Sequence, residues 1–538
     1  MPSTVKPMKF RDRTMWLAMA ALVAVPPASA QPASKPAAAP APASGACQRL
    51  AAQALSNTTI TLATEVAAGA FTQPAGGDGN GGGGGRRNND VFAKLPAFCR
   101  VAGVIKPSSD SDIKFEVWMP LAGWNRRFQG VGNGGFAGTI NYGSLAGALA
   151  AGYAAGSTDT GHGPEGGMAA ANWALGHPER IKDFGYRAVH EMTVKSKALT
   201  TAFYSAKPAY SYWVGCSEGG RQGMGEAQRY PTDYNGIVAG DPVFGWTRTQ
   251  TRSLSLQKIL RDDPAAFIPS SKLKMLNAAV LAQCDTLDGV KDGVLNDPRA
   301  CKVDFSKIQC KDGDQPSCLT ASQVKYIKAD YAGSKNPRTG EILMFGHMPG
   351  FEALQSGRVK ETPDAGESLP SAFWRYFVFD DPKWDGKSFD FDKDVAFADK
   401  KVGGDMNNFN PDLRAFKAAG GKLISYHGWS DPQPTPLNSI DYFQRVQKTT
   451  GDSSGFFRLF MVPGMGHCGN GPGTDQFDKI GLIRAWVEDG KAPAAVVAEH
   501  KTNGVTDRSR PLCPHPQAAK YKGSGSTDDA ANFRCAKP

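Results

Sequence analysis

The 538-residue chain is 41% hydrophobic, 10% aromatic and 21% charged, with 62 Gly and 37 Pro. That balance can bury a large core and excludes a disordered, collagen-like or membrane-bundle protein. The formal charge of +10 is spread without a Lys/Arg run, which argues against nucleic acid as a partner and for solubility or mild attraction of anionic substrates.

Length allows about two to four folding units, or one large α/β domain with an insertion. Lys6, Lys9, Arg11 and Arg13 precede an apolar run from Met15 to Val25 and the small-residue exit Ala28-Ser29-Ala30. This is the three-part pattern of a secretory signal peptide over residues 1–30. The apolar run is too short to cross a bilayer, so a secreted or periplasmic protein is expected rather than a membrane one. Losing four Lys/Arg and one Asp with this segment lowers the charge from +10 to +7.

Residues 31–46 read as a Pro/Ala linker. The glycine run in residues 75–90 reads as a surface loop, because a phosphate-cradling loop would need a strand before it and a Lys-Ser/Thr helix start after it. From residue 113 short apolar runs alternate with helical stretches. Strands are expected at Ile113 to Met119, near Phe128, at Gly152 to Gly156 ahead of a loop Ser157 to His162, and at Tyr210 to Val214, Gly236 to Ala239, Leu423 to Tyr426 and Arg458 to Val462. Helices are expected at Ile181 to Ala202, from near Arg221, and at Leu437 to Gln447 and Phe477 to Glu488. Such alternation predicts a mainly parallel sheet covered by helices. Residues 243–405 break the rhythm and read as an inserted domain, leaving 47–242 and 406–538 as the sheet-bearing part.

Ten cysteines lie beyond the leader, with no C-x-x-C pair. An even count in an exported chain favours disulfides over metal thiolates. Pairing neighbours in sequence joins Cys47 with Cys99, Cys284 with Cys301, Cys310 with Cys318 and Cys513 with Cys535, which leaves Cys216 with Cys468. The sequence does not prove that connectivity.

The strongest local signal is Gly215-Cys216-Ser217-Glu218-Gly219-Gly220, between a strand and a helix. It has the form of the G-x-S-x-G turn, which presents a serine hydroxyl at the carboxyl end of a sheet. Serine needs a base and an orienting acid to attack at neutral pH. Asp431, in His427-Gly428-Trp429-Ser430-Asp431, and His467, in Gly464-Met465-Gly466-His467-Cys468, each follow a later strand, so Ser217, Asp431 and His467 occur in the order such hydrolases use. Asp241 is a rival acid, His427 a rival base, and Asp159 with His162 a further polar pair whose simpler reading is local backbone bonding. A Cys216–Cys468 bond would hold the two Cα atoms within about 4.4–6.8 Å and so bring Ser217 and His467 together. For the oxyanion, the candidates are the N–H of Glu218 and, in the glycine loop 130–135, that of Gly134.

A cysteine before the serine, a separate aspartate and a cysteine after the histidine make a CS-D-HC pattern. With it the chain resembles the tannase and feruloyl esterase family, which also includes mono(2-hydroxyethyl) terephthalate hydrolase-like enzymes. The resemblance implies an α/β-hydrolase fold with a large inserted lid domain at 243–405 and a secreted serine esterase acting on feruloyl or galloyl esters through an acyl-enzyme. Terephthalate monoester hydrolysis and non-catalytic, calcium-dependent binding are the alternatives. Cys284-Asp285-Thr286-Leu287-Asp288-Gly289-Val290-Lys291-Asp292-Gly293-Val294 offers oxygens suited to a hard cation. The resemblance implies a structural calcium (Ca²⁺) on Asp285, Asp288, Asp292 and the carbonyls of Val290 and Val294. Phe373, Trp374, Tyr376, Phe377 and Trp384 suit either a phenolic ring or a core, and Arg375 either a substrate carboxylate or a surface acid. The expected partner is a small aromatic ester; the oligomeric state stays open.

Overall fold

Residues 42–74, 89–136, 138–163, 169–359 and 369–537 are described by the structure, a computed structural model. The expected leader, the linker up to residue 41 and the glycine run 75–88 lie outside the described residues.

Nine strands form the main sheet: β1 (Thr58–Val66), β2 (Phe98–Ile105), β3 (Ile113–Pro120), β4 (Arg127–Val131), β5 (Ala154–Thr158), β6 (Tyr210–Cys216), β7 (Gly236–Gly240), β8 (Lys422–Gly428) and β9 (Phe457–Val462). Their order is β1-β2-β3-β5-β4-β6-β7-β8-β9. From β5 to β9 every pairing is parallel, whereas β1, β2 and β3 add an antiparallel flank. This is the architecture of an α/β-hydrolase.

Side chains of the parallel strands alternate between two cores. Phe128, Trp213, Ile237, Leu423 and Leu459 enter one; Tyr212, Val238, Ile424, Phe460 and Val462 enter the other. Helices therefore cover both faces, the usual state of a parallel sheet. The strand ends at Gly152 to Gly156 move: β5 starts at Ala154 and takes in Ser157 and Thr158, because both pair with β3. The expected helix from Ile181 begins earlier, at Pro178, and passes through a π-helical turn, Asp183–Arg187, before the α-helix Ala188–Tyr204.

Between β7 and β8, among the described residues, no segment joins the large sheet. This stretch holds the helices Trp246–Asp262, Ser270–Cys284 and Ala321–Ala332 and a short ribbon of Ser334–Lys335 with Ile342–Met344. It has an apolar grouping of its own around Leu276, Val280 and Ile327 and shares a second with the sheet-bearing part, in which Phe373 stacks on Trp246 and Phe377 on Phe136. It packs with the sheet-bearing part as one compact unit. No helix among the described residues is long and apolar enough to cross a membrane.

Candidate active site

The bends after β6, β8 and β9 bring the three proposed catalytic residues to one end of the sheet. Ser217 follows β6 with φ 62° and ψ −119°, a conformation costly for a residue with a Cβ and held only by its surroundings. Its N–H donates to Gly240 O at 2.9 Å and its carbonyl accepts from Arg221 N–H at 3.0 Å. The helix Glu218–Arg229 starts directly after it, three residues earlier than the glycines suggest, since Gly219 and Gly220 are needed for close approach rather than for ending a turn. A Cβ on Gly132 would lie 2.5 Å from Gly219 Cα, and one on Gly220 2.3 Å from Gly240 O.

The glycine loop after β4 is thereby pressed against the start of this helix. Gly219 N–H donates to Asn133 O at 2.9 Å, and Gln222 grips Asn133 through both its amide atoms at 3.1 Å. Gly134 and Glu218 line the same cavity as Ser217 and His467. Among the described residues, no hydrogen bond engages the N–H of Gly134 or of Glu218, so both donors are available to a developing oxyanion.

His467 Nδ1 lies 2.8 Å from Asp431 Oδ2. Asp431 is fully buried; its other oxygen accepts from Gln433 N–H at 2.7 Å. Burial opposes its charge, but the neighbouring imidazoles of His467 and His427 prevail and hold the carboxyl below the usual carboxylate range.

The rivals have other tasks. Asp241 does not bond His467: it accepts Gly428 N–H at 2.8 Å and Cys468 N–H at 3.1 Å, tying the loops after β7, β8 and β9 together. Burial pushes its carboxyl up to about 6. His427 is buried, with Nδ1 2.7 Å from Ser439 Oγ and Nε2 donating to Pro434 O at 2.9 Å, so it braces the Asp431 loop. Asp159 accepts Lys114 and Gly161 N–H groups, both at 2.9 Å, and His162 bonds Gly163 O; this is local backbone bonding.

Cys216 and Cys468 are bonded, with Cα atoms 5.9 Å apart. The other bonded pairs are Cys47–Cys99, Cys284–Cys301, Cys310–Cys318 and Cys513–Cys535.

Four neighbours of the site, Arg221, Trp246, Gln433 and Arg358, escape a reading by motif. Arg221 and Glu218 form a fully buried ion pair; Trp246 Nε1 donates to the same carboxylate at 3.0 Å, and Arg221 also caps the carbonyls of Phe184 and Gly185. The pair anchors the start of the helix that follows Ser217, although burial raises the Glu218 carboxyl. Gln433, with its amide oriented to satisfy both neighbours, donates to His467 Nε2 at 3.1 Å and accepts from Arg358. Arg221 and Gln433 lie close in sequence to Ser217 and Asp431, but no motif marks them, and Trp246 and Arg358 come from elsewhere in the fold.

The cavity over Ser217 has a volume of about 410 Å³ and is walled by Val243, Trp246, Gln250, Arg358 and Pro370, which suits a ring-sized ligand. None of Phe373, Trp374, Tyr376, Phe377 and Trp384 lines it. Phe373, Trp374 and Phe377 are buried core residues, and Arg375 Nε donates to Trp384 O at 2.7 Å.

The Asp-rich loop encloses a separate small cavity of about 20 Å³, lined by Asp288, Val290, Asp292 and Val294. Asp288 is raised by burial and then by the charges of Asp292 and Asp285, so the acids share one field, and carboxylates with backbone oxygens are the donor chemistry of a hard cation. Asp285 does not line this cavity; both its oxygens accept Gly293 N–H at 3.1 Å. Asp292 also pairs with Arg510 at 2.7 Å.

Known proteins supply the comparison. The family model described as tannase and feruloyl esterase matches residues 99–536. An uncharacterized esterase of Xanthomonas campestris is 40% identical over 92% of this chain and 92% of its own. Mono(2-hydroxyethyl) terephthalate hydrolase of Piscinibacter sakaiensis is 34% identical over 83% of this chain and 86% of its own. The crystal structure of feruloyl esterase B from Aspergillus oryzae superposes with a TM-score of 0.83 at 28% identity, covering 91% of this chain and 99% of that one. The strand order, the elbow and the paired cysteines thus converge with the family match, and the chain belongs to the tannase and feruloyl esterase family of carboxylic ester hydrolases.

Proposed function

We propose that the chain is an exported serine esterase acting on esters of aromatic acids such as feruloyl or galloyl esters. The observation that carries this reading is the convergence of Ser217, of His467 with its Asp431 partner, and of two unengaged N–H groups on one cavity. Ser217 Oγ attacks the ester carbonyl carbon while His467 Nε2 accepts its proton. Asp431 holds the imidazole with Nδ1–H directed inward and stabilises the cation that forms. The negative oxygen of the tetrahedral intermediate lies against Glu218 N–H and Gly134 N–H. His467 returns the proton to the departing alcohol, leaving an acyl-serine. Water, deprotonated by the same imidazole, repeats the attack and releases the acid.

Export is supported by the leader pattern and by five disulfides, which persist in oxidising compartments. A structural Ca²⁺ on Asp285, Asp288, Asp292, Val290 and Val294 would brace the segment 243–405, a lid over the cavity, without entering the reaction. One observation favours a second substrate class, the terephthalate monoesters: Arg358 reaches the catalytic cavity, and a guanidinium suits a free carboxylate on the acyl ring.

Replacing Ser217 by Ala is expected to abolish hydrolysis of methyl ferulate and labelling by a fluorophosphonate while the melting temperature stays within about 2 °C, as for a substitution that makes no cavity. Retained turnover would refute the proposal.

A further inference from the structure

The helix that begins beside Ser217 ends in a second cluster of ionisable groups. Glu226 lies eight residues beyond Glu218, about 12 Å along the axis. There it meets His190, from the helix Ala188–Tyr204, and Asp233, from the turn that leads into β7. The catalytic residues follow the carboxyl ends of their strands; Asp233 precedes the amino end of β7, so the two sites occupy opposite ends of the sheet.

One potential ligand atom from each of His190, Glu226 and Asp233 falls within 4.8 Å of the others. His190 Nδ1 is 2.7 Å from Asp233 Oδ2, and the His190 ring is fixed by stacking on Tyr230 at 3.7 Å. Glu226 is 2% exposed, and its Oε2 has no hydrogen-bond partner. Two carboxylates facing each other, one of them buried with an unpartnered oxygen, are costly unless a positive charge or a proton lies between them. The side chains of His190 and Asp233 are 26% and 13% exposed, which opens the cluster to solvent. Lys197 donates to the Asp233 carbonyl rather than to either carboxylate.

We infer that His190, Glu226 and Asp233 form a binding site for a divalent cation of the zinc class, separate from the ester-hydrolysing cavity. One imidazole nitrogen and two carboxylate oxygens are the ligands zinc takes, leaving a fourth position for water. A tetrahedral Zn²⁺ bound by His190 Nδ1 and Asp233 would hold the two ligand atoms about 3.3 Å apart, so the 2.7 Å pair must open by roughly half an ångström. The ion would also supply the charge that Glu226 lacks. The competing arrangement is a proton shared between Glu226 and Asp233, which would exclude metal.

The test uses the whole exported chain, saturated with Ca²⁺ and titrated with Zn²⁺ alone. Wild type should bind one zinc more than Glu226→Gln or His190→Asn, with affinity at this site falling about tenfold or more in each variant. Zinc should raise the melting temperature of wild type and not of the variants, and diffraction at the zinc edge should give an anomalous peak among the three side chains. His190→Asn changes a side chain that is 26% exposed, so it keeps the test open if Glu226→Gln folds poorly. Equal zinc stoichiometry and equal thermal response in all three proteins would overturn the inference in favour of the shared proton.

Discussion

Cys216 and Cys468 stand 252 residues apart in the chain and 5.9 Å apart between Cα atoms, and each is the covalent neighbour of a proposed catalytic residue. The bond fixes the distance between the elbow after β6 and the loop after β9 at the point where an error of an ångström matters to proton transfer. Closing so long a loop also removes denatured-state entropy of about 5 kcal/mol in the chain-entropy model. The double variant Cys216→Ser/Cys468→Ser is therefore expected to melt lower and to lose kcat by about tenfold or more at temperatures where it is still folded. Equal kcat for folded variant and wild type would show that the sheet alone sets the geometry.

Asp431 and Asp241 are both buried near His467, yet only Asp431 touches it. Asp431→Asn should lower kcat by about 10⁴-fold, because the amide cannot hold the imidazole tautomer. Asp241→Asn should act mainly on stability, by about 1–3 kcal/mol, since the amide turns a donor toward one of two N–H groups. The pH dependence separates them further. A carboxyl held below the ordinary value of 3.8 contributes stability above that pH and loses it as the pH falls through its folded value. The melting-temperature gap between wild type and Asp431→Asn should therefore be full at neutral pH and close in acid. Asp241, pushed up to about 6, has the opposite sign: its contribution is present below pH 3.8 and lost as the pH rises through about 6.

Gln433 donates to the nitrogen of His467 that must accept the serine proton. That hydrogen bond stabilises the resting imidazole and competes with Ser217. Gln433→Ala should speed inactivation by a small fluorophosphonate about 2- to 10-fold, the equivalent of one net hydrogen bond. A slower reaction would mean that Gln433 serves to orient the ring.

Calcium removal should be felt as stability first. With Ca²⁺ at about 100 times its dissociation constant, the chain should gain about 2.7 kcal/mol over the EGTA-treated form. Asp288→Ala should abolish that difference, measured by thermal unfolding, whereas Ser217→Ala should leave it intact. An identical unfolding curve with and without EGTA would remove the ion from the account.

Local chemistry made much of this protein legible. Gly215 to Gly220 marked the junction of strand and helix, and the order Ser217, Asp431, His467 with flanking cysteines pointed to acyl transfer, because tight backbone approach favours glycine. Some legible signals lay outside that path. Thr58–Val66 is a β-branched run that pairs as β1, and Asn503-Gly504 closes a hairpin between Val496–Thr502 and Val505–Leu512, as such a dipeptide does. What only the tertiary structure decided was which buried acid meets His467, that Phe373, Trp374 and Phe377 are core while Trp246 and Arg358 wall the cavity, and that Arg221, Gln433 and Glu226 find their partners on distant elements. The reason is physical: periodicity and turn chemistry act over a few residues, whereas the direction of a buried charge is set by every element that excludes water from it.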